Sequence, residues 1–472
     1  MPIAERHLGK GKTVSIYQRF LRFLTRRRRI QLSPMQTIAI AFACIILTGA
    51  ALLTLPVASR SGVSCGFLPA LFTATSCTCV TGLVLFDTFT QWSGFGQVVI
   101  ICLIELGGLG FMSVASLFVF MLRRKMGLKQ RMVIAQALSL NEMESVVRLQ
   151  KWVLAGSLSV QFIGALILFL RFLPQFGVQK AAWWGVFHAI SAFCNAGFDI
   201  MGSISPGTSV ECMNHDFVVC ITLMVLVTVG GLGFFVWEEL ARVHSFRKFS
   251  VYTKLVLLTS VGLLVLGAGL IALAEWNNPE TLGAMALPQK ILNAFFQSVT
   301  LRTAGFASFD QAGLTDAGKG ISMVLMLIGG SSGSTAGGIK TVTTVVLLLF
   351  LWTRATGKQT VTVFRRSIPN DKVLDAMTIA SVMVGLSLFG GIFICATSPV
   401  SFTDGLYEAI SALATVGVTA GVTTSLSIPA KILMILYMYF GRIGVLTISM
   451  GFLMGDRAQE RFRYAHTNLL IG

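Results

Sequence analysis

Four short stretches of this 472-residue chain join small side chains to a closing glycine and an apolar residue. They are Cys79-Val80-Thr81-Gly82-Leu83, Cys194-Asn195-Ala196-Gly197-Phe198, Arg302-Thr303-Ala304-Gly305-Phe306 and Ala414-Thr415-Val416-Gly417-Val418. The glycines lie 115, 108 and 112 residues apart, and an aromatic (Phe72, Phe187, Phe295, Tyr407) stands ten residues before each. The chemistry open to such segments is coordination by the backbone. Carbonyls aimed in succession at one axis require alternating or positive φ, which glycine adopts without steric cost. Carbonyl rings of this kind replace the hydration shell of a passing cation. A glycine after a helix is common, so one turn alone says little. Four turns with a shared spacing describe a repeat that can surround a pore.

A second glycine register follows the first. Gly107-Gly108-Leu109-Gly110 and Gly230-Gly231-Leu232-Gly233 read as close helix packing through small residues. The third copy differs. Gly329-Gly330-Ser331-Ser332-Gly333-Ser334-Thr335-Ala336-Gly337-Gly338-Ile339-Lys340-Thr341 holds five glycines and no large side chain before Ile339. Each glycine costs a helix about 1 kcal/mol relative to alanine, so the reading is a helix broken inside the membrane, its loop lining a cavity. It is not a phosphate-binding loop, because Ile339 separates glycine from lysine. The fourth copy, Gly441-Arg442-Ile443-Gly444, carries a mid-span arginine. Lys340, Arg442 and the mid-span Glu105 are charges that a bilayer tolerates only beside a cavity or a partner. Glu105 is a candidate partner for Arg442. A cation below a cation filter would keep ions from resting there.

The elements that must hold these residues follow from composition. The chain is 54% hydrophobic and 12% charged, with apolar runs at 37–57, 152–170, 255–274 and 377–396. Such runs match the ~20 residues of a membrane span, so the fold class is an all-α polytopic membrane protein. The net charge of +17 reflects topology rather than nucleic acid: 28 of 37 Lys/Arg fall at 1–34, 123–151, 242–254, 354–372 and after 456. The positive-inside rule places those segments, and both termini, in the cytoplasm. Four repeats of spanning helix, short helix with turn and second span are expected at 35–126, 150–241, 252–355 and 373–455, between a basic tail (1–34) and a C-terminal tail (456–472). Short helices near 67–77, 182–192, 289–299 and 403–413 would reach only half the ~30 Å core, directing their C-terminal partial negative charge inward. His188 has no metal-site companions and reads as a packed histidine; an enzyme is disfavoured. Cys65 and Cys212 both fall in external connections and could pair, which sequence cannot establish.

Together these motifs resemble the Trk/Ktr/HKT superfamily of cation transporters, most closely the membrane subunit (KtrB type) of bacterial Ktr potassium uptake systems. The resemblance covers about residues 35–472. It implies a pseudo-fourfold pore for K+ in the bacterial inner membrane, often sodium-dependent, with Cys79–Gly82, Cys194–Gly197, Arg302–Gly305 and Ala414–Gly417 as selectivity filter. It implies a gating role for Gly329 to Gly338 and Lys340, and an electrostatic barrier at Arg442. It further implies a homodimer, surrounding lipids and a cytosolic nucleotide-binding (RCK-type, KtrA-like) regulatory ring, with no organic cofactor in this chain. Glycine at all four filter positions matches potassium-selective members; a sodium-conducting or proton-coupled relative is the alternative. Cys77, Cys79 and Glu105 depart from the usual pattern.

Overall fold

A computed structural model describes residues 34–110 and 146–444. The tails and the 111–145 connection, where part of the basic charge and the end of the first repeat fall, lie outside the described residues.

The helices are α1 (Pro34–Thr54), α2 (Phe67–Thr78), α3 (Gly94–Gly108), α4 (Val146–Phe193), α5 (Phe217–Leu232), α6 (Phe234–Arg242), α7 (Val251–Glu275), α8 (Leu287–Thr300), α9 (Asp316–Leu327), α10 (Thr341–Ala355), α11 (Asn370–Thr397), α12 (Phe402–Leu413) and α13 (Ile428–Ile443). Among the described residues the only strands are β1 (Thr362–Val363) and β2 (Arg366–Ser367), a two-residue antiparallel pair. Helix α4 joins two helices at Gly177, whose φ of 75° breaks the helical path. Its second arm is the counterpart of α2, α8 and α12. Those three hold 12, 14 and 12 residues, about 18–21 Å at 1.5 Å per residue, too short to cross the bilayer. Ser401 starts α12 by accepting the Asp404 amide, and Ser250 starts α7 by accepting that of Thr253, each satisfying an otherwise unpaired donor.

The long helices α1, α4, α7 and α11 meet the length and composition of membrane spans. Their outer faces stay apolar and exposed, as at Leu47, Phe162, Val261 and Phe389, so lipid is the solvent there. Between helices in lipid the driving force is close packing rather than water exclusion. Small residues supply it in an equivalent way each time. A Cβ at Gly49 would lie 2.6 Å from the Leu103 side chain, one at Gly164 2.7 Å from Leu226, and one at Gly267 3.1 Å from Leu325. Gly390 stands likewise against Tyr437. Each glycine belongs to a first span and each partner to a helix that follows the glycine turn of the same repeat.

The second helix of repeat two is not a continuous span, contrary to expectation, and that of repeat three is broken as expected. Helices α5 and α6 meet at 93° across Gly233, whose φ is 88°. Helix α3 stops at Gly108 and α13 at Ile443, with Gly110 and Gly444 at φ 79° and 92°. Between α9 and α10 the break widens into the 329–340 loop. The glycines of this register do pack tightly. An added Cβ at Gly107, Gly230 or Gly441 would strike the carbonyl of Thr78, Phe193 or Leu413, each at the end of a short helix. Packing and interruption therefore share one motif.

Candidate functional site

Each short helix runs into its turn through the same backbone path. Val80, Asn195, Thr303 and Thr415 take φ of 55°, 59°, 63° and 53°, and Gly82, Gly197, Gly305 and Gly417 take 102°, 69°, 84° and 95°. The residue between keeps negative φ, so the backbone alternates over three residues. Left-handed φ at β-branched valine and threonine is costly, on the order of 1–3 kcal/mol each, and persists only where surroundings hold it.

Those surroundings are identifiable. Ser76 Oγ accepts from the Gly82 amide at 3.1 Å and Ser411 Oγ from that of Gly417 at 3.1 Å. Ser191 and Ser411 donate to the carbonyls of Phe198 and Val418, both at 2.6 Å. The chain then returns along its own helix. His188 Nε2 accepts from the Ile200 amide at 3.4 Å while Nδ1 donates to the Trp184 carbonyl at 2.8 Å. Glu408 accepts from Thr419, Thr423 and the Ala420 amide. Of these bracing residues only His188 was singled out from sequence, as a packed histidine, which agrees with its burial; the serines and Glu408 were not. A hydroxyl six residues before the glycine recurs at Ser76, Ser191 and Ser411 and was the available signal.

Repeat three is one residue tighter. The amides of Thr81, Ala196 and Val416 bond carbonyls five residues back, whereas Ala304 bonds Thr300, four back. Thr300 accordingly donates to Phe306, six residues on, where Ser191 and Ser411 reach seven on. The aromatic shifts with it. Phe295 is 40% exposed and Phe296 is 3% exposed, so Phe296 is the counterpart of Phe72, Phe187 and Tyr407, and the ten-residue spacing assigned to Phe295 is corrected. Phe296→Ala should lower the thermal midpoint in detergent far more than Phe295→Ala, since emptying a packed aromatic site costs about 3–5 kcal/mol. Equal losses would refute the shifted register.

The four turns close into a ring in chain order. An added Cβ at Gly82 would lie 2.6 Å from the Ala196 carbonyl oxygen, at Gly197 2.8 Å from that of Ala304, and at Gly305 2.7 Å from that of Val416. At Gly417 it would overlap the Thr81 carbonyl. Side chains are thereby excluded, and backbone from four repeats meets.

Beneath the ring sits the 329–340 loop, tied to every neighbour. Its ends are bridged by Gly329 N to the Ile339 carbonyl at 2.9 Å and Ile339 N to that of Leu327 at 3.0 Å. Thr335 Oγ1 donates to Asn195 Oδ1 at 2.9 Å, and the Gly337 amide donates to Thr303 Oγ1 at 3.2 Å. A Cβ at Gly337 would overlap the Thr415 hydroxyl. Ser331 donates to the Leu232 carbonyl, and its amide to that of Gly231. The Phe234 amide donates to the Gly333 carbonyl, and Tyr252 to that of Ser332 at 2.8 Å. Gly330, Ser334 and Gly338 complete the path. Lys340 Nζ folds back onto the Ala336 carbonyl at 2.7 Å, so it caps the loop.

Arg442 clasps the assembly. Its guanidinium donates to the Thr335 carbonyl of the loop and to the Gly107 and Gly108 carbonyls of α3, the last at 3.2 Å. The pairing suggested with Glu105 is not formed. Glu105 accepts from Gln161 Nε2 at 3.0 Å and from the Cys194 thiol at 3.4 Å. Carbonyls at an interrupted helix end reach the guanidinium before any side-chain acid does. Arg302 is buried and donates to Ser260 Oγ at 3.1 Å, behind its turn. Cys77 and Cys79 are buried thiols, and Cys65 and Cys212 are free, so no disulfide links them.

On the side of the ring away from the loop, acidic groups gather. Desolvation, reinforced by Asp87 and Glu211 and opposed by the Met201 amide, raises the Asp199 carboxyl to about 7. Burial and Asp310 do the same for Glu211.

Half-membrane helices, turns meeting at one axis and spans with lipid-facing exteriors define an all-α, multi-pass membrane protein of the pore-loop kind. The chain belongs to the TrkH family, described as cation transport proteins, whose model matches residues 7–460; it is a transporter rather than an enzyme. It is 38% identical over 454 residues to the potassium/sodium uptake protein NtpJ of Enterococcus hirae, covering 95% of this chain and 99% of that one. It is 37% identical to Ktr system potassium uptake protein B of Bacillus subtilis, covering 92% and 96%. Its fold is similar to that of the potassium transporter TrkH from Vibrio parahaemolyticus, with TM-score 0.70, 17% identity and coverage of 91% and 87%.

Proposed function

We propose that this chain is the ion-conducting subunit of a Ktr-type potassium uptake system in the bacterial inner membrane, with both termini cytoplasmic. The observation that carries the reading is the closed ring of four glycine turns with left-handed backbone on either side of a central residue. Carbonyls of Cys79–Gly82, Cys194–Gly197, Arg302–Gly305 and Ala414–Gly417 form the filter for K+. The repeats at 35–126, 150–241, 252–355 and 373–455 are the four units around it. The 329–340 loop closes the path below, and Arg442 both holds that loop and repels a cation descending from the filter. Buried hydroxyls of Thr78 and Thr415 and the Asn195 amide nitrogen have no partner among the described residues; water of a hydrated ion in transit would satisfy them.

Relatives named for potassium and for sodium together support sodium-dependent potassium uptake. The Ktr names support partner subunits: a homodimer on a nucleotide-binding regulatory ring of the RCK type, docked on the basic inner face. Expression in a bacterium lacking its own potassium uptake, together with such a ring, should restore growth at low potassium, and more strongly with added sodium. Failure to restore growth with the protein present in the membrane would overturn the assignment. Growth without any effect of sodium would remove only the coupling. Uptake of sodium in preference to potassium would favour the sodium-conducting alternative.

A further inference from the structure

Between α10 and α11 the chain forms the β1–β2 hairpin. Its base is fixed: Val361 is buried with Val346, Val373 and Ala376, Ile368 packs against them, and the Ile368 amide bonds the Val361 carbonyl at 2.8 Å. Its tip is unusual. Val363 pairs with Arg366, leaving Phe364 and Arg365 as the two-residue loop, at φ 45° and 63°. That is the mirror-image hairpin turn, for which asparagine and glycine are the suited residues. A phenylalanine at positive φ is an outlier that local folding does not favour. The strained residues are also the exposed ones. Phe364 is 49% exposed, and the Arg365 and Arg366 side chains are exposed with no hydrogen bond or ion pair among the described residues.

The hairpin stands at the edge of the apolar belt. Leu351, Trp352 and Leu374, in the helix turns on either side of it, are each more than 60% exposed. Three residues of strand from Val361 to Phe364 span about 10 Å, and the headgroup layer beyond the hydrocarbon is roughly 5–8 Å deep on each side. A hairpin inclined to the bilayer, as this placement requires, keeps its tip within reach of the headgroup layer. Residues 354–372 carry five Lys/Arg and one acid, Asp371; Arg354 lies over the Phe350 ring, Lys372 reaches Asp375, and Lys358 is exposed near the end of α10, so Arg365 and Arg366 are the two cations at the tip itself. An aromatic beside free cations at this depth matches an anionic headgroup with the top of its acyl chains.

We infer that the Phe364–Arg366 tip is a binding site for anionic phospholipid of the inner leaflet, anchoring the junction between the third and fourth repeats. The inference rests on the proposed orientation, in which this end of the helices faces the cytoplasm. Benzoylphenylalanine placed at position 364 of the full chain, irradiated in native membranes, should yield adducts with phosphatidylglycerol or cardiolipin. Adducts with a regulatory protein, with zwitterionic lipid alone, or none at all, would overturn the site. In native mass spectrometry of the purified protein, retention of added phosphatidylglycerol should weaken about fivefold for each arginine removed in Arg365→Ala and Arg366→Ala. Phosphatidylcholine retention should not change. The double variant F364N/R365G suits the turn better, so its folding is protected. It should lose the lipid while keeping its thermal midpoint, and unchanged retention in it would refute the site. None of these readouts depends on ion uptake, so failure of the transport reading is separable from failure here.

Discussion

Arg442→Ala is expected to raise potassium uptake at least about tenfold per transporter. The guanidinium donates to carbonyls on two bodies that would have to part for the loop to move: Thr335 in the loop, and Gly107 and Gly108 at the end of α3. A hydrogen bond to a charged group contributes about 1.5–3 kcal/mol. Losing the bond to Thr335 alone thus shifts the closed-to-open balance by roughly tenfold or more, since 1.36 kcal/mol is one decade. Removing the positive charge from beneath the proposed filter acts in the same direction, because a cation leaving the ring no longer approaches a like charge in a medium of low dielectric. Rubidium influx into proteoliposomes, normalised to protein, measures it. Arg442→Lys keeps the charge but cannot span both carbonyl groups, so it should give an intermediate rate. Uptake equal to or below wild type in a folded Arg442→Ala protein would show that the arginine neither latches the loop nor repels the ion.

The second large effect belongs to the ring. In Gly417→Ala the new methyl would occupy the place of the Thr81 carbonyl, at a backbone φ of 95° where an L side chain is strained. Either the turn of repeat four moves or the Thr81 carbonyl does, and both groups lie at the proposed coordination site. Potassium uptake should fall about tenfold or more, or its preference over sodium should collapse by a similar factor, because selectivity depends on the number and placement of carbonyl dipoles around the ion. Gly82→Ser, 2.6 Å from the Ala196 carbonyl, should weaken discrimination in the same sense. Gly262→Ala is the control. Its Cβ meets nothing within 4 Å, and it should leave uptake unchanged. If Gly417→Ala also conducts normally with unaltered ion preference, the ring is not the filter.

Much of the site was legible from residue types because its chemistry is that of the backbone. Glycine marks positive φ, and spacing marks repetition, so the turns at Gly82, Gly197, Gly305 and Gly417 could be found with no knowledge of the fold. The same logic located the interruption before Lys340, where small residues replace the side chains that a buried helix needs. It failed where spacing was taken literally. Repeat three omits one residue from its turn, so Phe296 rather than Phe295 enters the core, a slip that only the amide-to-carbonyl register reveals. It failed again for Glu105 as a candidate partner of Arg442. Each finds other polar groups, Gln161 and Cys194 for one and three carbonyls for the other.

Sequence by itself determined the membrane class, the half-membrane helices, the four turns and the odd third loop. These depend on local properties: apolar run length, charge placement and the φ that glycine allows. Tertiary structure decided the rest. The order in which the turns meet, the seating of Thr335 and Gly337 against Asn195 and Thr303, the break at Gly233, and the bonds of Arg442 all join residues from about 34 to more than 300 positions apart or depend on what such contacts hold in place. The physical reason is that backbone carbonyls are chemically alike in every residue. Which of them an arginine or a loop will bind follows from how four similar units pack around an axis, and no side-chain type records that choice.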